Sequence, residues 1–347
     1  MSKSSAATAT AGQTNRTVVS AWLYLLCFMI WIMVGIGGYT RETGSGLSIM
    51  NWDPIIGTLP PMSAAAWNAL FAKYQTISQY QILHKGMDLA GFKQLFWPEY
   101  THRLWGRLMG AVLLLPLIVF ALTGRLEKRL IPWLLLLFVM GGLQGAIGWF
   151  MVSSGFFAGS TAVEPWRLSL HFSAAMVLYV SVLWTALTVR HPTPTAPFAQ
   201  RGLQRLTMLA ILLLFCTMFA GTFVSGTHAI SVFDPAKSIG IGMPPPGYPH
   251  TSFLSDQATI LFNHQALATL TTLVLLITAT KALRSNAGTP IRDAGLTIAC
   301  LVLLQFTLGV SALVSKMIDL GVAHQMNAVL LLTACILLLH RLRGATA

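Results

Sequence analysis

Long apolar runs recur along the chain and are separated by short polar segments. Eight windows of about 20 residues are almost free of charge, and this is the length that an α-helix needs to cross the hydrocarbon core of a bilayer. The pattern predicts an all-α membrane protein with eight transmembrane helices. The predicted spans lie at 19–38, 103–122, 131–150, 168–189, 206–225, 260–280, 294–314 and 322–340.

The composition supports this class and excludes several others. Hydrophobic residues make up 55% of the 347 positions and charged residues only 9%, whereas soluble proteins carry about 25% charged residues. A disordered protein, a disulfide scaffold and a soluble nucleotide-binding enzyme are therefore excluded. The four cysteines lie inside apolar runs, without metal-site or covalent haem-attachment spacing. We interpret them as buried thiols: Cys27, Cys216, Cys300 and Cys335.

Positive charge is concentrated on one side of the predicted membrane. An even number of spans puts both termini on the same side, and 13 Lys and Arg residues fall there against two acids, Glu127 and Asp293. This distribution follows the positive-inside rule and predicts cytoplasmic termini. The net charge of +12 therefore orients the protein and does not indicate nucleic-acid binding. We expect a bacterial inner membrane, in preference to the mitochondrial inner membrane.

Two long segments connect spans on the opposite, outer side. The first, residues 39–101, contains four large apolar residues at helical spacing, which predict a short amphipathic helix that either lies along the membrane surface or caps the bundle. The second, residues 226–259, is rich in Pro and Gly and is expected to be irregular. The residues at helical spacing are Trp67, Leu70, Phe71 and Tyr74.

The second half of the chain resembles the first. Leu143–Gly148 in the third span matches Leu304–Gly309 in the seventh, and histidines recur in the same order in both halves. Each half has an even number of spans, so both insert the same way up, with a pseudo-twofold axis along the membrane normal. We predict two pseudo-symmetric four-helix bundles. The predicted division is an N-terminal tail at 1–18, an N-terminal half at 19–190, an inner linker at 191–205 and a C-terminal half at 206–347.

Four histidines occupy equivalent positions in the even-numbered spans. His102, His171, His264 and His324 lie near the outer helix ends, roughly 5–10 Å below the outer surface at about 1.5 Å per residue. A histidine inside a bilayer is costly and usually faces the bundle interior with a partner. Two pairs of imidazoles at one depth suit the axial positions of two haem irons, whereas zinc favours four ligands around one point.

Glycines accompany these histidines on the neighbouring spans. They either leave room for a flat macrocycle or allow close packing between helices, and both interpretations fit their positions. The glycines are Gly106 and Gly110 on span two, Gly141, Gly142, Gly145 and Gly148 on span three, and Gly309 on span seven.

A carboxylate accompanies only one of the two histidine pairs. Glu99 precedes His102 by three residues, so the two share a face if the helix has begun by Pro98, a residue favoured in a first turn. Glu99 would accept protons or stabilise developing positive charge; the alternative is a structural ion pair with Arg103. Leu261–His264 in the second half contains no acid, which predicts a reactive haem in the first half and an electron-transfer haem in the second.

Three arginines cluster near the outer ends of the first two spans. Arg41, Arg103 and Arg107 carry planar guanidinium groups that match the carboxylates of haem propionates. Snorkelling of these side chains to the membrane interface would explain the same positions equally well. Both interpretations are kept.

Five segments of the sequence are distinctive: Gly38–Ser48, Phe96–Arg103, Gln144–Val152, Phe262–Gln265 and Ala323–Gln325. Together they resemble the haem A synthases, which oxidise haem O to haem A for cytochrome oxidase. The resemblance covers about residues 20–340 and is more specific in the first half. The outer loop has no cysteine, as in the branch of the family that lacks a cysteine pair there. The chain departs from the family pattern at Glu42, at Gln265 and at 226–259.

The resemblance implies two four-helix halves that hold different haems. The substrate haem O would lie between His102 and His171, and a haem b cofactor between His264 and His324. Glu99 falls on the functional acid of the family. The implied partners are haem O, the lipid bilayer, an unidentified electron acceptor and, as a candidate neighbour, a haem O synthase.

A mechanism and two alternatives follow from this arrangement. Two histidines on the substrate iron would leave no open coordination site for O2, so we hypothesise that water supplies the formyl oxygen, that electrons leave through the haem b half and that Glu99 takes up protons. A non-catalytic dihaem b membrane cytochrome that exchanges electrons with quinone would need the four histidines and not Glu99. A transporter would use the repeat without any haem.

Overall fold

The computed structural model describes residues 3–53, 56–193, 200–237 and 239–343. Eight helices in this part of the chain are long and apolar enough to cross a membrane, which confirms an all-α, multi-pass membrane protein. The helices are α1 (Lys3–Glu42), α2 (Ala64–Tyr74), α3 (Ser78–Leu83), α4 (Leu89–Leu122), α5 (Ile131–Ser153), α6 (Pro165–Arg190), α7 (Arg201–Gly226), α8 (Gln257–Leu283), α9 (Thr289–Ser315) and α10 (Ile318–Arg341).

Several helices extend beyond the predicted spans. α1 begins at Lys3, so most of the predicted N-terminal tail is helical, while residues 1–2 lie outside the described residues. α7 begins at Arg201, within the predicted inner linker; residues 194–199 of that linker are not among those the structure describes. The division of the chain into two halves stays a prediction.

The beginning of α4 differs from the prediction. α4 starts at Leu89, and the side chain of Asp88 caps it by accepting a hydrogen bond from the Gly91 N–H at 2.8 Å. Pro98 therefore lies inside the helix and not in its first turn. The helix has begun by Pro98, as a shared face of Glu99 and His102 requires, and only the placement of Pro98 in its first turn was wrong, because a search for apolar runs detects only the part of a helix that lies within the bilayer.

The predicted amphipathic helix packs against the extended start of α4. Tyr74, Tyr80 and Phe92 are buried together in a small hydrophobic cluster, and the ring of Trp67 packs edge-on against Phe96 with centroids 4.8 Å apart. The apolar face of α2 is thus covered by the protein itself. α2 and α3, which we call the outer cap, therefore cap the bundle.

Neighbouring helices form two groups of four. α1 packs against α4 and α6, and α5 packs against α6; correspondingly, α7 packs against α8 and α10, and α9 packs against α10. Between the groups, α1 contacts α10 and α6 contacts α7. If the two groups are exchanged, α1 takes the place of α7 and α10 takes the place of α6, so the contact of α1 with α10 becomes the contact of α7 with α6. The arrangement is compatible with the predicted pseudo-twofold axis.

Polar contacts join the two groups within a common hydrophobic core. Tyr179 on α6 and Thr333 on α10 are hydrogen-bonded at 2.6 Å, and the indole of Trp31 on α1 donates to the backbone of Met326 on α10 at 3.0 Å. Bonds of this kind satisfy side-chain donors that have no access to water in a membrane.

Two of the four cysteines are not buried as expected. Cys27 and Cys335 lie in the core, but Cys216 and Cys300 are exposed on the bundle surface. Both exposed cysteines lie on spanning helices, α7 and α9. An apolar run does not distinguish a face that packs against other helices from a face that meets lipid, because both are apolar.

Candidate functional site

The four predicted histidines form two pairs. His102 on α4 and His171 on α6 are close enough for their side chains to interact electrostatically, and the same holds for His264 on α8 and His324 on α10. Among the described residues, no group of three or more His, Cys, Asp or Glu is placed to hold a metal ion. Each site therefore offers two imidazoles, which is what an iron needs when a porphyrin supplies its other four ligands.

Each histidine ring lies against a glycine of the preceding odd-numbered span. In three cases the glycine faces the Cε1–Nδ1 edge of the ring, and a side chain there would meet the imidazole. An added Cβ would lie 2.9 Å from His171 Cε1 at Gly148, 3.2 Å from His264 Cε1 at Gly221 and 2.8 Å from His324 Cε1 at Gly309. The glycines thus let the rings sit between the helices.

The fourth ring, that of His102, presents its other edge. An added Cβ at Gly37 would lie 3.1 Å from His102 Nε2 and 3.3 Å from Cδ2. A half-turn of the imidazole about its Cβ–Cγ bond would place Cε1 and Nδ1 where Nε2 and Cδ2 now lie. That rotation gives His102 the same arrangement as the other three rings.

Two glutamines orient the second histidine of each pair. Gln144 Nε2 lies 3.1 Å from His171 Nδ1, and Gln305 Nε2 lies 3.1 Å from His324 Nδ1. Asn327 supports the second of these contacts by donating to Gln305 Oε1 at 2.7 Å. Both glutamines thus hold a histidine ring in place from the neighbouring helix, and Gln305 Nε2 also lies 3.2 Å from His324 Nε2. Sequence reasoning used both glutamines only as landmarks of the repeat and missed this role.

The donors of the second pair fit a haem. The backbone carbonyl of Gln305 lies 3.1 Å from His324 Nδ1, which favours a proton on that nitrogen. His264 Nδ1 is buried and has no hydrogen-bond partner of good geometry within the described residues. Buried imidazoles in apolar surroundings are costly unless a partner compensates them; His264 and His324 are the residues that would hold a haem in this half, where it would supply one-electron redox chemistry.

Most of the predicted glycines border open space. An added Cβ would meet nothing within 4 Å at Gly110, Gly141, Gly142 or Gly145. These four glycines therefore do not mediate close helix packing. Gly148 and Gly309, in contrast, are needed for the close approach of the histidine rings. Room for a macrocycle beside α4 and α5 stays a prediction that this geometry favours.

Glu99 is buried at the outer end of the first pair. Its side chain is only 3% exposed; Oε2 accepts hydrogen bonds from Ser48 Oγ at 2.7 Å and from the Ile49 N–H at 2.8 Å. Oε1 forms an ion pair with Arg103, whose Nε donates at 3.0 Å. The structural ion pair considered above is thus present. Glu99 keeps the position, one turn before His102 on α4, that a role beside the haem requires.

The guanidinium of Arg103 makes four hydrogen bonds, two to Glu99 and two to the segment that follows α1. Besides Glu99, it donates to the backbone carbonyls of Ile49 at 2.6 Å and Asn51 at 2.7 Å. It also lies 5.9 Å above the ring of Trp149, which stacks on Trp52. Arg103 therefore anchors the 44–51 segment. In this arrangement its guanidinium has no pair of N–H groups left to bind both oxygens of a propionate.

The other two arginines also contact backbone. Arg41 donates to the carbonyls of Ser225 at 3.0 Å and Gly226 at 2.9 Å, the last residues of α7, where a cation favourably meets the negative end of the helix dipole. Arg107 donates to the carbonyl of Asp53 at 2.7 Å. Arg41 joins the two halves, and pairing of these arginines with propionates stays a prediction.

The two single-residue departures from the family pattern have structural partners. Glu42 accepts a hydrogen bond from Ser225 Oγ, beside the contact that Arg41 makes with the end of α7. Gln265 donates to the carbonyl of Gly240 at 2.7 Å, so it ties α8, next to His264, to the irregular outer segment. The irregularity of that segment, predicted from its Pro and Gly content, is observed in its described residues, which form short 3-10 turns and one isolated bridge.

Comparisons with known proteins agree with this site. A family model described as cytochrome oxidase assembly protein matches residues 20–336. The chain belongs to this family. Heme A synthase of Granulibacter bethesdensis is 49% identical over 339 residues, which is 97% of this chain and 90% of the relative. Heme A synthase 2 of Acidiphilium cryptum is 43% identical, covering 97% of this chain and 95% of the relative. Heme A synthase of Rhodospirillum centenum is 39% identical over 94% of this chain.

The glycine beside each histidine offers a direct test of haem ligation. We expect Gly309→Ala to displace the ring of His324, because the new Cβ would lie 2.8 Å from Cε1 and such overpacking costs about 1–3 kcal/mol. The purified variant should bind less haem and show an altered absorption spectrum. Gly202→Ala is the control, since a Cβ there meets nothing within 4 Å; equal spectra for both variants would contradict the prediction.

Proposed function

We propose that this protein is a haem A synthase, which oxidises a ring methyl of haem O to a formyl group and so supplies haem A for cytochrome oxidase. One observation carries the proposal: the structure has two sites of two histidines each, and only one of the sites has a buried carboxylate beside it. Every histidine ring in these sites packs against a glycine. The relatives that bear this name cover nearly the whole chain.

We assign the substrate haem to His102 and His171 and a resident haem b to His264 and His324. The position of Glu99 supports this assignment, because no acid stands at the corresponding place before His264. The size of side chains supports it as well. Three glycines of α5 correspond in the repeat to larger residues of α9: Gly141 to Val302, Gly142 to Leu303 and Gly145 to Phe306. The smaller residues along α5 would leave more room for haem O, whose long isoprenoid side chain haem b lacks.

The chemistry of the site follows from the balance of the reaction. Conversion of a methyl group and one water into a formyl group releases four protons and four electrons. Haem b would supply one-electron redox chemistry when bound. Glu99, held by Ser48, Ile49 and Arg103, is the buried carboxylate nearest in sequence to the first histidine pair and would accept protons. The residues around it exclude bulk water, since Glu99 is only 3% exposed.

The first experiment tests the activity itself. Membranes that contain the full chain should convert added haem O into haem A, and the purified protein should yield haem b on extraction. A dihaem b membrane cytochrome would yield haem b alone and leave haem O unchanged. A protein without a Soret band would be a member of neither class, and the transporter alternative would then replace the proposal.

The source of the formyl oxygen is tested by isotope labelling. Two imidazoles on the substrate iron would leave no coordination site for O2, so we expect ¹⁸O from labelled water to appear in the formyl group of newly made haem A. The measurement is mass spectrometry after rapid quenching, because formyl groups exchange with water. A parallel reaction under ¹⁸O2 in ordinary water is the control, and label from that gas would end the water hypothesis.

The proposed setting is the inner membrane of a bacterium, with both termini in the cytoplasm. The basic inner loops support this orientation, and the curated relatives cited above come from bacteria. We further propose a haem O synthase as the donor of the substrate, because haem O is an apolar molecule that is best passed on within the membrane. We also propose that the electrons of the reaction pass to an unidentified acceptor at the haem b half.

A further inference from the structure

The segment that follows α1 holds Glu99 from the outer side. Residues 44–51 provide both hydrogen bonds to Glu99 Oε2, from Ser48 Oγ at 2.7 Å and from the Ile49 N–H at 2.8 Å. The same segment accepts two hydrogen bonds from Arg103. The direction of the carboxylate is therefore set by the conformation of a turn that has little regular structure of its own.

The outer cap fastens the beginning of this segment. Gln79 Nε2 donates to the carbonyl of Gly44 at 2.9 Å, and Gln79 Oε1 accepts a hydrogen bond from the Tyr74 hydroxyl at 2.9 Å. Gln79 is 3% exposed and Tyr74 is fully buried, so water does not replace either bond. Gly44 has a φ of 68°, which glycine adopts without strain, and the bond from Gln79 fixes the direction of its carbonyl.

His84 completes the network towards the surface. Its Nδ1 lies 2.6 Å from the Tyr74 hydroxyl oxygen. Because Tyr74 donates its one proton to Gln79, the His84 N–H donates to Tyr74. Burial lowers the pKa of His84, and burial together with the charge of Glu99 raises the pKa of Tyr74. Both groups are therefore neutral at neutral pH.

We propose that Gln79 and Tyr74 are positioning residues for Glu99, which hold the 44–51 segment in the conformation that directs the Glu99 carboxylate. The inference rests on the proposed function, because it requires that Glu99 acts in haem O oxidation. Packing alone does not explain Gln79. An apolar side chain of similar volume would fill the same space without requiring two buried hydrogen bonds. The amide of Gln79 therefore serves to fix the direction of the Gly44 carbonyl.

The test replaces the amide by an apolar side chain of similar size. In membranes that contain the full chain, Gln79→Leu should lower the rate of haem A formation by about tenfold to a hundredfold, the range expected when a reacting group is misplaced by roughly 1 Å. Haem b content should be unchanged. Gln81→Leu is the matched control, because Gln81 is an exposed amide on the same helix; its rate should stay within about twofold of the parent, as expected for a surface substitution.

A double-mutant cycle separates positioning from a general structural effect. If Gln79 acts through Glu99, then Gln79→Leu should cause no further loss in a Glu99→Gln background. A full additional loss in that background, or a normal rate for Gln79→Leu alone, would overturn the proposal. A normal rate for Glu99→Gln would instead remove Glu99 from the proposed mechanism, and the positioning role would fall with it.

A milder substitution covers the case in which Gln79→Leu fails to assemble. Tyr74→Phe removes only the hydroxyl that orients Gln79, and Tyr80→Phe is its control on the same cap. We expect Tyr74→Phe to retain haem b, to slow haem A formation several-fold, and to have no further effect in the Glu99→Gln background. Equal rates for the two phenylalanine variants would contradict the role of Tyr74.

Discussion

Alanine in place of either His264 or His324 should remove the resident haem b, whereas alanine in place of His102 or His171 should leave haem b bound and abolish haem A formation. The reason is geometric. Each pair lies on alternate helices of one group, α4 and α6 or α8 and α10, and an electrostatic interaction links its two rings. The loss of one imidazole leaves the iron with a single protein ligand.

The measurement combines haem extraction with the conversion assay on purified variants. His250→Ala is the control, because His250 is an exposed histidine of the outer 226–259 segment, and it should bind and convert haem as the parent does. Loss of haem b from the His102 and His171 variants instead would reverse the assignment of the two halves. Unchanged haem content in all four variants would exclude haem ligation by these residues.

The eight spans were predictable because the bilayer imposes one requirement on every helix that crosses it. A run of apolar residues satisfies that requirement wherever it occurs, so hydropathy alone located all eight. The same signal did not reveal where α4 begins. Its first turns, from Leu89, pack against the outer cap and contain polar residues, and only the capping contact of Asp88 marks the start. Boundaries outside the bilayer depend on tertiary packing that a hydropathy pattern does not contain.

The histidine pairs could be predicted because their spacing repeats between the halves, but the residues that orient them could not. Gln144 and Gln305 contact the rings across a helix interface, and such a contact has no signature along the chain. The glycine partners were partly visible: Gly148 and Gly309 stood out in the repeat, whereas Gly37 and Gly221 did not. A repeat identifies equivalent positions, and only the structure shows which of them touch.

The arginines show how one residue type allows two interpretations of its position. Arg41, Arg103 and Arg107 lie near the outer helix ends, as expected for propionate partners or for snorkelling side chains. In the structure, all three donate to backbone carbonyls. Their common role is to anchor backbone around the first site, namely the 44–51 segment, Asp53 and the end of α7.

Substitution of Glu99 is expected to stop haem O oxidation while the protein keeps its haem b. Removal of a general base lowers a rate by about a hundredfold or more, so membranes with Glu99→Ala should accumulate haem O or its hydroxylated intermediate. Glu99→Gln is the gentler variant. Both variants remove the ion pair with Arg103, but the amide oxygen of glutamine still accepts from Ser48 and Ile49, whereas alanine also removes these two hydrogen bonds to the 44–51 segment.

The control for this substitution is another ion pair at an outer helix end. Glu164 pairs with Arg167 at 2.9 Å at the start of α6, and Glu164→Gln should convert haem O at the parental rate. The products are separated by reversed-phase chromatography after extraction of the haems, and haem b content reports on assembly. Normal haem A output from Glu99→Gln would show that the reaction requires neither the charge of Glu99 nor its ion pair with Arg103, and loss of haem b from that variant would show that the outer site is required for assembly of the whole bundle.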